Sequence, residues 1–412
     1  MAKQLAVTIA GAVSLGSYEA GVMFEVLDAI AQQNAWADQS KQPDLRIEID
    51  VLTGASAGGM TSAIVGHSLL FAGSSLAQPY DNPLYNAWVR DIDLSVLLAR
   101  QPGEDVTHSI LSSNCIIGIS HRYLTPTPPP TGLDPHPALP RNGPVQLGLS
   151  MSNLNGVDYF RPTMTGGSFI YTRFEDEYAQ VLDPQAGYQP ATWEAIRQAG
   201  VACGAFPFAF RVQDIVRNIA DYLSSPCLLT ALWGGQPSIV FTYTDGGLFQ
   251  NEPLGLAKNF VDEQLNGHLN TQDRGYLFIA PKPKNSDAQG GFHAKDADYK
   301  ATALAIALAT LGQAEFQDWV TAESLNDRIA ALNRLATELQ VLFTSRILDP
   351  NATTAVTGPV LNLLFTANGE VNTTALGQAR AQLSRQFAQE YSSWGGSGRS
   401  DRFPGGIGGR PC

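Results

Sequence analysis

The sequence predicts an α/β fold, a three-layer αβα sandwich built around a mainly parallel central sheet. Two short apolar runs, residues 5–10 and 47–52, have the length and composition of buried strands. A helical pattern follows each of them, the first with apolar residues recurring from Val22 to Ile30 and the second over residues 57–70. Alternation of strand and helix favours parallel strands covered by helices on both faces.

The same rhythm continues through the next 200 residues, with two interruptions. Further strands are predicted at residues 146–151, 168–172, 238–243 and 276–280, and further helices at 192–202 and 254–265. Residues 73–144, which are rich in proline, and residues 212–236 break the alternation and are interpreted as insertions. The longer insertion is predicted to help cover a site.

The organisation expected from this pattern is one large domain followed by two segments of different character. Residues 1–300 form the predicted α/β domain, and residues 301–393, rich in Ala, Leu and Glu, form a predicted helical extension. Residues 394–412 form a glycine-rich tail that is predicted to be flexible.

Composition excludes several classes of function. The formal net charge of −12 argues against nucleic acid as a partner and against electrostatic docking on anionic lipid. Peripheral contact with a membrane would therefore rely on apolar groups. The four cysteines, of which Cys203 is expected in the core, show neither CxxC spacing nor a neighbouring histidine cluster, so no metal and no cofactor is predicted.

The sequence shows no signal peptide, and its best apolar run, residues 301–311, is too short for a membrane span. A cytoplasmic protein is the expectation. Peripheral membrane association and non-classical secretion are left open, and the oligomeric state is not predicted.

A GxSxG motif, Gly54-Ala55-Ser56-Ala57-Gly58, follows the second predicted strand and opens the second predicted helix. A nucleophile elbow requires this strand–turn–helix context and small neighbours around the serine. The amino terminus of the helix would also favour negative charge that develops at the serine. Ser56 is the candidate nucleophile.

Two further loops lie at the ends of predicted strands. The loop from Gly11 to Gly16 follows the first strand and lacks the Lys and Ser/Thr of a phosphate-binding P-loop, which leaves a cradle of N–H groups suited to an oxyanion. Asp245-Gly246-Gly247 follows the strand at 238–243. With an elbow serine nearby, Asp245 is a candidate general base.

These three elements, in this order, resemble the patatin-like phospholipase family, whose members use a serine and an aspartate without histidine. The elbow around Ser56 and the Asp245-Gly246-Gly247 motif match that family, and Asn251 and Pro253 fit the residues that usually follow. Residues 202–210 resemble its small-residue segment. The resemblance covers about residues 5–281 apart from the insertions.

The resemblance implies a patatin-like fold and a lipid acyl hydrolase of the phospholipase A, lysophospholipase or acyl-ester lipase type. Ser56 Oγ would attack an ester carbonyl while Asp245 takes the proton, and water would then hydrolyse the acyl-enzyme. The implied partner is a lipid or another acyl ester. Its head group, chain length and positional preference are not predicted.

The implied oxyanion hole consists of N–H groups of Gly11, Ala12, Val13 and Ala57. The family usually has GGGxRG or GGGxKG in this loop, whereas Ala12 and Val13 replace two glycines here and Leu15 replaces the basic residue. Backbone donors do not require glycine when the backbone angles are ordinary. Loss of the positive charge would remove one electrostatic contribution to catalysis.

Two alternatives remain open at this point. A Ser-His-Asp α/β-hydrolase is compatible with the chain order, because His268 and His293 follow Asp245. A lipid-binding protein that kept the fold and lost turnover is compatible with the altered oxyanion loop. The presence of both Ser56 and Asp245 favours the enzyme.

Overall fold

The computed structural model describes residues 2–12, 15–162, 168–222, 228, 233–264, 274–281, 298, 301–303, 305–306 and 309–310. The short stretches at 301–310 are helical. The remainder of the predicted helical extension and the whole glycine-rich tail lie outside the described residues. The strands are β1 Lys3–Ile9, β2 Ile47–Gly54, β3 Val145–Pro162, β4 Ser168–Leu182, β5 Gln213–Asn218, β6 Ser238–Asp245 and β7 Arg274–Ile279; the helices are α1 Gly16–Gln39, α2 Ser56–Phe71, α3 Pro83–Tyr85, α4 Leu94–Leu98, α5 Ser113–Leu124, α6 Pro190–Cys203 and α7 Leu254–Gln264.

The seven strands form one mixed sheet in the order β5-β6-β3-β2-β1-β7, with β4 paired to β3. β7, β1, β2 and the first part of β3 run parallel to one another. β4 and β6 each pair antiparallel to β3, and β5 pairs antiparallel to β6. The parallel part carries the elbow, and the antiparallel part carries Asp245.

Crossover handedness explains how the helices are distributed. The β1–α1–β2 and β2–α2–β3 units step across the sheet in the same direction, so right-handed crossovers put α1 and α2 on the same face. Their apolar residues join one core with the sheet, in which Met23, Leu69, Leu52 and Leu149 are fully buried.

The opposite face is covered by α7. Leu256 and Phe260 of this helix pack on Ala6 and Val51, whose side chains point away from the larger core. Helices on both faces of a central sheet give the three-layer αβα sandwich that the alternation of elements predicts.

The structure adds detail that the strand pattern did not predict. β3 and β4 are long strands of one hairpin, and their ends, residues 157–162 and 168–173, extend past the neighbouring strands β2 and β6. Residues 212–236, interpreted from sequence as an insertion, contribute the edge strand β5. Its buried positions are Ile215 and Arg217, so a charged residue occupies the inward face and obscures the alternation.

The 73–144 segment contacts both ends of the sheet. The Ile49 N–H donates to Ala138 O near the amino end of β2, whereas the Ile110 N–H donates to Phe208 O in the loop that follows α6. This second region lies on the side of the elbow. Within the described residues, no helix has the length and apolar character that a bilayer crossing requires.

Candidate active site

Ser56 occupies a strained turn between a strand and a helix. β2 ends at Gly54, and α2 begins at Ser56, whose φ is 51°. A positive φ is rare for residues other than glycine, and such strain often marks functional positions. The structure therefore has the nucleophile-elbow geometry that the motif predicts, with Ser56 at its apex.

Close packing explains why the neighbours of Ser56 are small. A Cβ atom at Gly54 would overlap the carbonyl of Gly58, and a Cβ atom at Gly58 would overlap the carbonyls of Ile9 and Ala10. The turn thus lies directly against the end of β1. Any larger residue at either glycine would push the elbow away from the strand.

Asp245 lies at the end of β6 and contacts Ser56 directly. Ser56 Oγ donates a hydrogen bond of 2.6 Å to Asp245 Oδ2, although the two residues are 189 positions apart. The Gly247 N–H donates to Asp245 Oδ1 at 2.8 Å. Burial of the carboxyl raises the pKa of Asp245 to about 6, and the hydrogen bonds from Ser56 and Gly247 partly offset this rise.

The backbone of Asp245 is anchored on both sides. Its N–H donates to Ala205 O, and its carbonyl accepts a hydrogen bond of 2.7 Å from Ser152 Oγ of β3. A Cβ atom at Gly246 would overlap the carbonyl of Ser150. These contacts explain the need for glycine directly after the aspartate.

The loop after β1 contains the predicted donor Gly11. The Gly11 N–H donates to Asn251 O at 2.9 Å and is therefore already engaged, so the role of Gly11 as an oxyanion donor stays a prediction. Ala12 is buried, and its N–H has no acceptor among the described residues. Val13 lies outside the described residues.

The remaining predicted groups lie at the amino termini of two helices. Ala57 is in the first turn of α2, where N–H groups have no intrahelical acceptor. Gly16 opens α1, and a Cβ atom there would overlap the ring of Trp88. Gly16 therefore serves packing, whereas Ala57 offers a donor beside Ser56.

No described histidine forms a hydrogen bond with Ser56 or with the Asp245 carboxylate. His67 follows it by eleven residues on α2, which is about 16 Å along the helix axis. The His67 ring is buried among Phe71, Tyr188 and Trp193, and burial lowers its pKa to about 4. The other described histidines lie in the 73–144 segment, at positions 108, 121 and 136. His268 and His293 are outside the described residues.

Cys203 lies directly behind the elbow, in a position that the sequence did not predict. Its Sγ is 3.8 Å from Ser56 O and 3.9 Å from Gly54 O, and burial raises the pKa of the thiol. The expectation that Cys203 is a buried core residue is confirmed. The signal for its position was the run of small residues before Pro207.

In the described part of the chain, no group of His, Cys, Asp or Glu side chains could hold a metal ion.

Comparison with known proteins identifies the family. The patatin-like phospholipase family matches residues 7–258, a range that includes both Ser56 and Asp245, and the chain belongs to this family. The family acts on lipid substrates.

One curated relative is an uncharacterized protein, y4iI, of Sinorhizobium fredii (strain NBRC 101917 / NGR234). It is 24% identical, and the match covers 68% of this chain and 49% of the relative. The chain therefore spans about half the length of that protein. No solved structure matches the chain.

Proposed function

We propose that this protein is a carboxylic ester hydrolase of the phospholipase A, lysophospholipase or acyl-ester lipase type that uses a Ser56–Asp245 dyad. The observation that carries the proposal is the 2.6 Å hydrogen bond from the elbow serine to a fully buried carboxyl. A carboxylate is a weak base in water, and burial makes it a stronger one.

In the proposed mechanism, Asp245 takes the proton of Ser56 as Oγ attacks the ester carbonyl. The oxyanion is stabilised by the N–H groups of Ala12 and Ala57, with Val13 as a further donor, and by the amino terminus of α2. Asp245 then gives its proton to the departing alcohol oxygen. A water molecule, deprotonated by Asp245, attacks the acyl-enzyme, and Ser56 recovers its proton when the carboxylic acid leaves.

Exposed apolar side chains around the site support an acyl chain as the substrate. Phe208 is half exposed, has a φ of 68°, and follows the Ala205 carbonyl that binds the Asp245 N–H. Ile110 is exposed beside it, since its N–H donates to Phe208 O. We take Ile110 and Phe208 as the apolar entrance to the site. Contact between this entrance and a lipid surface would rely on apolar groups and would not require positive charge on the protein.

Labelling with a fluorophosphonate probe tests the proposal. We expect the wild type to form a covalent adduct on Ser56 and to hydrolyse short nitrophenyl esters, and Ser56→Ala to lose both activities. Ser62→Ala is the matched control, because Ser62 is a buried serine of the same helix whose hydroxyl contacts only backbone carbonyls. Near-normal turnover in Ser56→Ala would exclude Ser56 as the nucleophile, whereas a wild type that shows neither labelling nor turnover would favour the alternative of a lipid-binding protein.

A further inference from the structure

The segment that follows Asp245, residues 246–253, contacts three regions of the sheet. Ser150 Oγ of β3 donates to the carbonyls of Gly246 and Gln250, at 3.2 and 3.0 Å. Thr53 Oγ1 of β2 donates to Pro253 O at 3.4 Å. The segment therefore connects the strand of the aspartate to β3 and to the end of β2, and through Asn251 it reaches the loop after β1.

Asn251 binds Gly11 on both sides. The Asn251 carbonyl accepts from the Gly11 N–H at 2.9 Å, and Asn251 Nδ2 donates to Gly11 O at 3.4 Å. Asn251 is buried, and a Cβ atom at Gly11 would overlap its Oδ1. The same Cβ atom would lie 3.1 Å from Ser56 Cβ, so this contact is directly beside the nucleophile.

The bond to Gly11 O has a consequence for the neighbouring peptide group. The carbonyl of Gly11 and the N–H of Ala12 belong to one planar trans peptide, in which the two bonds point in opposite directions. A donor that holds the Gly11 carbonyl therefore also fixes the direction of the Ala12 N–H. That N–H is one of the proposed oxyanion donors.

We propose that Asn251 is a positioning residue that orients the Ala12 N–H toward the oxyanion. The inference rests on the proposed function. It also accounts for an oxyanion loop that has neither additional glycines nor a basic residue, because the orientation of the donor peptide comes from the segment after Asp245. Gly11 is then required because the Asn251 amide occupies the space of a Cβ atom.

Steady-state kinetics of Asn251→Ala on a short nitrophenyl ester tests the inference. We expect kcat to fall about 10- to 100-fold, less than the loss of a whole oxyanion donor, with KM within about threefold of wild type. Asn34→Ala is the matched control. Asn34 is a fully buried asparagine whose Nδ2 also donates to backbone carbonyls, of Ile47 and Pro137. It should lose thermal stability and keep its kcat.

Two further variants keep the test informative if Asn251→Ala folds poorly. Asn251→Asp preserves the shape of the side chain, removes the donor to Gly11 O and adds a carboxyl beside the oxyanion loop, so kcat should fall at least as far as in Asn251→Ala. Gly11→Ala should be impaired by overlap with Asn251, and Gly11→Ala/Asn251→Ala should be no worse than Asn251→Ala alone. Multiplicative losses in the double variant would show that the two residues act independently.

The outcomes separate this inference from the proposed function. A wild type that neither reacts with the fluorophosphonate probe nor hydrolyses ester overturns the proposed function and the inference together. An active wild type with unchanged kcat in folded Asn251→Ala or Asn251→Asp overturns the inference alone. A loss seen only in KM would likewise contradict it, since a misoriented oxyanion donor weakens the transition state more than the bound substrate.

Discussion

At the scale of single residues, the carboxyl of Asp245 experiences two opposing influences. Complete burial favours its neutral form, whereas the hydrogen bonds from Ser56 and Gly247 favour the carboxylate. The net result is a pKa of about 6. Such a group is ionised at neutral pH and is still a stronger base than a solvated aspartate.

This pKa predicts the pH dependence of turnover. The proposed base must be ionised to accept the proton of Ser56, so kcat/KM should fall as the pH drops through about 6 and reach a plateau above it. A pH profile of ester hydrolysis measures this directly. A profile whose acidic limb lies at the pKa of a solvated aspartate, near 4, would contradict the environment described for Asp245.

The motifs were sufficient to predict that Ser56 and Asp245 lie together, since each follows a strand and functional groups gather at strand ends. The motifs did not predict the hydrogen-bond partner of Gly11. Its N–H binds the carbonyl of Asn251, which is 240 residues away in the chain, and no local pattern contains that partner. The contact of Cys203 with the elbow was not predicted either, because Cys203 and Ser56 are 147 residues apart in the chain.

At the scale of elements, α1 buries an acidic residue in its first turn. Glu19 is fully buried, and neither of its carboxyl oxygens has a hydrogen-bond partner among the residues that the structure describes. Burial raises the pKa of Glu19 to about 9, so the folded protein holds this carboxyl in its neutral form at pH 7. The apolar pattern of α1 did not predict it, because an acidic residue in a helix is usually exposed.

This burial predicts a pH-dependent stability. Between the unfolded pKa of 4.5 and the folded pKa of about 9, unfolding releases a proton, so Glu19 makes the fold less stable as the pH rises. We expect Glu19→Gln to raise Tm relative to wild type, by more at pH 8 than at pH 5. Thermal unfolding followed by circular dichroism measures this.

Glu25→Gln, an exposed glutamate on the same helix, is the control and should change Tm little at either pH. An equal change in Tm for Glu19→Gln at both pH values would mean that Glu19 is already ionised in the folded protein.

The missed strand, β5, has a physical explanation. Arg217 on its inward face is buried together with Asp176 of β4, at 3.6 Å, and its guanidinium donates to Tyr243 Oη of β6. Tyr222 and Tyr243 both donate to the Asp176 carboxylate at 2.7 Å. A charged residue on an inward face is possible only with such partners, and two of them, Asp176 and Tyr243, come from other strands.

At the scale of the whole molecule, the catalytic pair depends on a sheet that changes direction. Ser56 follows the parallel strand β2, whereas Asp245 ends β6, which runs antiparallel to β3. The parallel core of β7, β1, β2 and β3 follows from the alternation of elements and was predicted. The reversal of β6 was not predicted, because it depends on pairing with β3, which lies about 90 residues earlier in the chain. The hydrogen bond from Ser152 Oγ to Asp245 O is one example of this pairing.

The apolar entrance formed by Ile110 and Phe208 brings together two distant segments of the chain. If it receives the acyl chain, Phe208→Ala should lower kcat/KM for long-chain esters about tenfold more than for butyrate esters, because only long chains reach the entrance. Comparing nitrophenyl esters of increasing chain length tests this. Val216→Ala, an exposed apolar residue on β5, is the control. Equal effects of Phe208→Ala on all chain lengths would place the acyl chain elsewhere.

The dyad itself is tested most directly by the turnover numbers of three variants on one nitrophenyl ester. If Asp245 is the proton acceptor, Asp245→Asn loses nearly all turnover, whereas His268→Ala and His293→Ala each stay within about tenfold of wild type. In a Ser-His-Asp triad, removal of the histidine would cost several powers of ten. Collapse of turnover in either histidine variant, with a normal circular dichroism spectrum, would contradict the dyad and transfer the role of the base to that histidine.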